Sequence, residues 1–429
     1  MQALRVSQTT ISRGLRELER QQRVVRIGST RGARYALRKP IPLIGSQWPL
    51  YRIDEDGTPH ELGALTAIYR DRYYTTAGPT RIAGTFQGLP YYLQDARPAG
   101  FLGRAVPGAY PELGLPARVS DWTDDHVLIY LTQRGCDSVG NLIVGAEALN
   151  RYLAALHSPA IVLAEHRATA YSEFANAAMA GAPPGSSAHG EQPKFTACVA
   201  DGNQRTHVIA KFSPPRSTPV GLRWADLLTA EFLAHRVLEE AGISACRSRL
   251  LDHADRVFLE CDRFDRIGAH GRLGAVSLLA VDATRYGNLD NWTAAAERLF
   301  ADSLLSADDA EKIRLIDAFG ALIANSDRHF GNVTLFDRYE GQFELAPVYD
   351  MLPMLCAPQD GQLVPRQFEP PPARAEWLAV WPRARTLAEK YWSRVQTDPR
   401  ISEDFRQLAA QAGERLLAVP SRAAPVAAP

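Results

Sequence analysis

Apolar positions along the chain change period several times, and each change predicts a new element. In VSQTTISRGLREL, Val6, Ile11, Leu15 and Leu18 recur at helical spacing, with Ser7 placed as the N-cap. RVVRIG and ARYAL follow as short β-type runs joined by Ser-Thr-Arg-Gly, so residues 1–38 read as a helix and a β-hairpin. Pro40 and Pro42 then predict a linker. Residues 43–175 read as mixed: Asp56-Gly57 is a turn signal after YRIDE, GTFQGLPYYLQD an aromatic core segment, and HVLIYL, around Val127 to Leu131, a buried strand. A small-residue loop spans 176–192. KFTACVA and THVIAKF then form a hairpin about Asp201-Gly202-Asn203. DLLTAEFLAHRVLEEAGI predicts an amphipathic helix ending at Gly242, and RVFLECDRFD a strand. From Trp292 helical patterns dominate, interrupted by NSDRHFGNVTLFDRYEGQFELAPVYDM, and SRAAPVAAP has the composition of a disordered tail.

The 429 residues are enough to bury a large core without disulfides. The five cysteines are scattered with no C-x-x-C pair, which points away from a zinc site and towards a reducing cytoplasm. No apolar run approaches the ~20 residues of a membrane span, and MQALRVSQTT lacks the apolar core of a signal peptide. Net charge is zero, but residues 1–39 hold ten Lys/Arg against two acids, Glu17 and Glu19. Such asymmetry points to a local polyanion partner. In a helix-turn-helix, Gln8, Thr9, Thr10, Ser12, Arg13 and Arg16 would face the major groove of DNA, with Arg31 and Arg34 meeting phosphate or minor groove from a wing. The plainer reading of the same residues is a solvated basic face.

The chemistry lies further along. Asp327 and Asn332 stand five positions apart in NSDRHFGN, and Asp350 follows Asn332 by eighteen positions, after two short strand patterns. A kinase needs one carboxylate at the acceptor hydroxyl, and an Asn and a second Asp to hold Mg²⁺ against the phosphates of ATP. This order of groups supplies all three, at the spacing of a protein-kinase catalytic loop. Lys211 ends the apolar run VIA and can reach a cleft from its strand, and Glu231 on the following helix is its natural partner. SSAHGEQPKF, with Gly185 and Gly190, can lay backbone amides over phosphates. Each signal has a bland counterpart: an Asx-rich turn for Asp327 and Asn332, a strand-end lysine for Lys211, a solvated helix acid for Glu231. His189 and His207 read as surface residues.

In combination, SSAHGEQPKF, VIAKF, DRFDR, NSDRHFGN and APVYDM resemble the HipA family of serine/threonine kinase toxins over roughly residues 86–400. The helix-wing segment in front is most similar to the family's YjjJ-type branch. The resemblance implies an α+β fold: a two-lobed, protein-kinase-like body with a small N-terminal winged helix-turn-helix. It divides the chain into a partial winged helix-turn-helix (1–39), an N-terminal subdomain (43–175), an ATP-binding part of the small lobe (176–290), a helical catalytic lobe (291–418) and a tail (419–429). The first helix of the usual winged-helix module is missing, as from a truncated module or a misassigned start. By position the resemblance implies Asp327 as catalytic base and Asn332 and Asp350 as Mg²⁺ ligands. Lys211 binds phosphate, Asp262 and Phe264 are a hinge meeting adenine through backbone groups, and His329 lies near the phosphates. Ser187 is an autophosphorylated serine beside Gly190, with Ser186 its competitor. It further implies a translation component, such as an aminoacyl-tRNA synthetase, as protein substrate, and an antitoxin partner. Two other readings stay open: a DNA-binding regulator with an inactive or nucleotide-sensing body, and a metal-dependent enzyme acting on DNA through Asp327, His329 and Asp350.

Overall fold

The computed structural model describes residues 7–28, 32–76, 81–157, 160–181 and 191–420. Near the N-terminus a helix, Gln8–Arg20, starts where Ser7 Oγ accepts the Thr10 N–H (3.2 Å), and buries none of its residues. Strands β1 (Val24–Ile27) and β2 (Arg34–Leu37) pair antiparallel beside it. Prolines 40 and 42 lie in a tight return and not in a free linker. Ile41 is buried and its N–H donates to Gly45 O (2.7 Å), while the Lys39 N–H reaches Ala67 O (2.9 Å) and the Tyr69 N–H reaches Leu37 O (3.1 Å). The hairpin is thereby stitched to the body.

The next layer is an antiparallel sheet of β3 (Gln47–Ile53), β4 (Pro59–Ile68), β5 (Arg72–Thr75), β6 (Gly84–Gln87) and β7 (Leu142–Val144), in the order β6-β5-β4-β3-β7. Tyr91, Tyr92 and Leu93 of the aromatic segment are buried against it. HVLIYL is not a strand. It lies in helix Asp124–Arg134, where Val127 to Thr132 are all buried. Thr123 Oγ1 accepts the His126 N–H, His126 Nδ1 accepts the Thr123 N–H, and Asp124 and Asp125 occupy the first turn, so the local capping signals favour a helix. A continuous apolar run buried on all sides carries no period, and the caps decide its form.

A second sheet has the order β11-β12-β10-β9-β8, built from β8 (Val162–Leu163), β9 (Lys194–Asp201), β10 (Gln204–Phe212), β11 (Ser248–His253) and β12 (Arg256–Asp262). Its β9–β10 hairpin turns at Gly202-Asn203, pairing Asp201 with Gln204 and Lys194 with Lys211. One face packs Phe195, Phe212 and Phe258 on Tyr171 of helix Arg167–Met179. The other packs Val257, Leu259 and Cys261 on Ala225 and Leu228 of helix Pro219–Glu240. That helix is buried on most sides, beyond the single stripe of an amphipathic one, and the chain leaves it through Gly242 at φ +75°.

Short pairs β13 (Arg266–Ile267) with β14 (Gly271–Arg272), and β15 (Ala275–Ser277) with β16 (Thr334–Phe336) and β17 (Glu344–Leu345), connect to a helical lobe. Helices Trp292–Ala301, Ala307–Leu322, Trp381–Thr397 and Glu403–Ala418 enclose Phe319, Tyr391, Trp392 and the stacked rings of Trp377 and Trp381. The result is an α+β body of a sheet-rich lobe and a helical lobe, with β10, β12 and β16 bordering the cleft between them.

Candidate active site

Lys211, on β10, is buried. Its ammonium lies 2.5 Å from Glu231 Oε1 and also pairs with Asp350. Strand pairing aims it there: Lys211 faces Leu259 across β12 and Lys194 across β9, while Glu231 comes from the helix packed behind the sheet. The Asp350 N–H donates to the same Glu231 oxygen (3.1 Å), so one carboxylate fixes both the lysine and the acid's backbone. Asp350 has φ +52°, a left-handed conformation that Asp adopts more readily than most side-chain-bearing residues. Burial alone would push the Lys211 ammonium down, but Asp350 and Glu231 outweigh it and hold the ammonium well above its usual range. Burial likewise pushes the Asp350 carboxyl up, and Lys211 and Lys194 reverse this to hold it below the usual value. Glu231, fully buried, is pushed up by burial despite Lys211.

The loop after helix Ala307–Leu322 is folded by its own side chains. Asn325 Oδ1 accepts the Asp327 N–H (3.0 Å) and Asn325 Nδ2 donates to Asp350 O (3.2 Å), tying the two acidic segments together. Asn332 Nδ2 donates to Asp327 O (2.9 Å), as does the His329 N–H (2.9 Å). His329 Nδ1 accepts the Gly331 N–H (3.0 Å), and Trp292 Nε1 donates to His329 O (3.1 Å). Arg328 turns the other way, towards buried Asp317, which also holds Thr293 and Trp377. Gly320 leaves room for it, since a Cβ there would stand 2.7 Å from Arg328 Cδ. Burial raises the Asp327 carboxyl above its usual value; His329 opposes this and Asp350 adds to it.

Lys211, Asp262, Phe264, His329, Asn332 and Asp350 line one cavity. Its apolar lining is Ile209, Cys261, Leu279 and Tyr349; Phe264 packs edge-on against Phe336 and tilted against Tyr349. The Asp262 N–H is taken by Arg247 O (2.9 Å), which leaves the Asp262 carbonyl, shared with the Cys246 thiol (3.3 Å), for a ligand. Glu231 lies behind the cavity, and Asp327 stands at its edge through the Asn332 contact. Ser187, Ser186, Gly190, His189 and Arg31 lie outside the described residues. Gln8, Thr9, Thr10, Arg13, Arg16 and Arg34 are exposed and Ser12 half-exposed, all on the N-terminal helix and hairpin, away from the cleft. His207 is half-buried and not a plain surface residue, with Nε2 3.0 Å from Ala269 O.

Two cleft residues escaped the sequence reading. Lys194 is buried opposite Lys211, and burial pushes its ammonium down to about 8. Asn325 opens the NSDRHFGN motif, and its bridging role depends on where Asp350 returns. Lys194's signal was the register of the hairpin: two lysines equidistant from one turn share a face. Among the described residues no three His, Cys, Asp or Glu side chains converge as a metal-ligand group.

With this geometry, residues 186–418 match the model of the HipA-like C-terminal domain, and residues 44–153 that of the YjjJ-like toxin middle domain. The chain is 37% identical over 430 residues to the toxin YjjJ of Escherichia coli K12, covering 99% of this chain and 95% of the relative. The chain belongs to the HipA-like family, in its YjjJ-type branch. A solved structure of HipA from Shewanella oneidensis, in complex with HipB and operator DNA, aligns at TM-score 0.50 and 14% identity, covering 86% of this chain and 96% of that one. At that identity the likeness concerns the fold, and it is the HipA-like two-lobed α+β fold described above. In this HipA-like chain the cleft residues fall inside the C-terminal match and the N-terminal helix precedes both matched segments. No helix among the described residues is long and apolar enough to cross a membrane.

Proposed function

We propose that this HipA-like chain is an ATP-dependent protein kinase that phosphorylates serine or threonine. The observation that carries the reading is the buried Lys211–Glu231–Asp350 arrangement facing Asn332 across one cleft. A buried cation between two carboxylates is costly to assemble, and a cleft for a polyphosphate is a use that needs it. ATP with Mg²⁺ would supply the γ-phosphoryl group and the remaining charge neutralisation. Lys211 binds phosphate oxygens, and Asn332 and Asp350 offer oxygen ligands to the metal. Asp262 and Phe264 receive the adenine through backbone groups, and His329 stands by the phosphates. Asp327 orients the acceptor hydroxyl and takes its proton as the γ-phosphorus–oxygen bond to the departing ADP breaks.

On the same reading Ser187 is the self-modified residue of the loop that covers the phosphates with Gly190, and modification there limits the enzyme. Residues 1–39 bind DNA, with Gln8, Thr9, Thr10, Ser12, Arg13 and Arg16 at the major groove and Arg31 and Arg34 on the backbone or minor groove. The relative's designation as a toxin, and the HipB and operator DNA bound to the HipA neighbour, support a toxin restrained by an antitoxin partner. The substrate on this reading is a cellular protein such as an aminoacyl-tRNA synthetase. The test is incubation of the purified chain with Mg²⁺ and γ-labelled ATP, followed by mass spectrometry, with Asp327→Asn as control. Label on Ser187 or Ser186 that vanishes in the variant supports the reading. Bound ATP with no label on the chain or on added protein substrates favours the nucleotide-sensing regulator.

A further inference from the structure

Next to the hinge lies a second group of charges, buried except for the half-exposed Asp137. Arg263 spans Asp265 (3.0 Å) and Asp137 (3.2 Å), and Arg266 reaches Asp137 and Asp265 (both 2.7 Å). Those two carboxylates are thereby used. Arg272, on β14 and only 5% exposed, forms no salt bridge among the described residues, and Asp137 acts on it only from beyond contact distance. Its Nη2 donates to Cys136 O (2.7 Å), its plane stands 4.6 Å from the centre of the Tyr152 ring, and its Nη1 makes no hydrogen bond. A buried guanidinium with no carboxylate in contact is an expensive arrangement for a fold to keep.

Arg272 lines a pocket of about 430 Å³. One wall is apolar, from Leu156, Ile161, Val162 and Phe174, and the other carries Arg263, Arg266 and His270. A second pocket of about 660 Å³ shares His207, Arg263 and His270 with it and opens outward past Arg205 and Arg247, with Asp262 as its one acid. Asp137 also borders the inner pocket, but two guanidiniums already engage it. The cavity thus offers a cation that no carboxylate touches, beside apolar side chains, with a basic entrance.

We propose that this joined pocket binds a small amphipathic anion, its carboxylate or phosphate head beside Arg272 and its apolar body along Leu156, Ile161 and Phe174. The neighbouring arginines support this: burial first, then Arg266, push the Arg272 guanidinium down to about 9, a cost that an incoming anion relieves. Thr196 and Arg263 line both this pocket and the nucleotide cleft, so the two cavities are neighbours that share a wall.

The test is calorimetric titration of the full chain with octanoate and with octyl phosphate, repeated in the presence of saturating ATP. Saturable binding is expected, unaffected by ATP, and the stronger head group identifies the ligand as carboxylate or phosphate. Arg272→Gln should weaken it about tenfold or more, because a charge-assisted contact is lost. Ala155→Trp, at an exposed position of helix Ala146–His157 on the pocket lining, should block it without touching the buried charges. If Arg272→Gln does not fold, Ala155→Trp alone decides. No saturable binding of either probe, binding unchanged in the variants, or displacement by ATP would each overturn the proposal.

Discussion

The cleft and the N-terminal helix both gather charge, in opposite ways. In the cleft Lys211 is buried and held between Glu231 and Asp350, and each partner is fixed by further bonds to Asn325 and the Asp350 backbone. On the helix, Arg13 and Arg16 stand in water, with no salt bridge among the described residues. A buried, compensated charge is positioned in advance, so its removal should damage the fold and any chemistry together. An exposed charge costs little to keep and binds a polyanion mainly by releasing counterions, each residue adding a small, salt-dependent share. The two regions therefore differ in the kind of perturbation that exposes them.

The sharpest separation should come from Asp327→Asn. Phosphoryl transfer should fall by about 10²–10⁴-fold, the range of a lost general base, while calorimetry finds nucleotide affinity nearly unchanged. Retained transfer would remove Asp327 from the mechanism. Lys211→Met should come next in size. It leaves buried Glu231 facing half-buried Asp350, and urea denaturation should show a loss of about 3–5 kcal/mol. A loss below 1 kcal/mol would mean that the cleft's charges are no more coupled than the helix's.

Beneath the same cluster, buried His235 lies 3.8 Å from Glu231, and burial first, then Lys211, push its imidazole down to about 3. The native state keeps it neutral, while the unfolded chain takes up a proton as pH falls through about 6.5. The stability so contributed is complete above that value and is lost progressively towards pH 3, at about 1.4 kcal/mol per pH unit. His235→Gln should flatten the fall in urea midpoint between pH 7 and pH 5; an unchanged fall would show that other groups carry it. The smallest effects belong to Arg13→Ala and Arg16→Ala. Each should lower the salt slope of DNA binding by about 1 and shift stability by no more than about 0.5 kcal/mol. Stability losses of the size expected for Lys211 would erase the contrast between the two regions.

How much of this was legible in the chain depends on how far apart the interacting residues lie. The helix capped by Ser7, the β9–β10 hairpin and the helix ending at Gly242 follow from neighbouring residues, and all form as the local pattern requires. HVLIYL was misread because a run buried on every side has no period, and the deciding signal was the capping pair of Thr123 and His126 just upstream. His207 was misread because its burial comes from Ala269, sixty-two residues later.

The sequence by itself determined the order and chemical type of the cleft groups, Lys211, Glu231, Asp327, Asn332 and Asp350, because spacing within strand, helix and loop constrains which groups can meet. Only the tertiary structure decided that Lys194 stands beside Lys211, that Asn325 ties the two acidic segments together, and that Arg272 is buried with no carboxylate in contact. The physical reason is range. Backbone geometry fixes neighbours a few residues apart, whereas burial and charge compensation are set by packing between segments as distant as Lys211 and Asp350, and no local pattern records that.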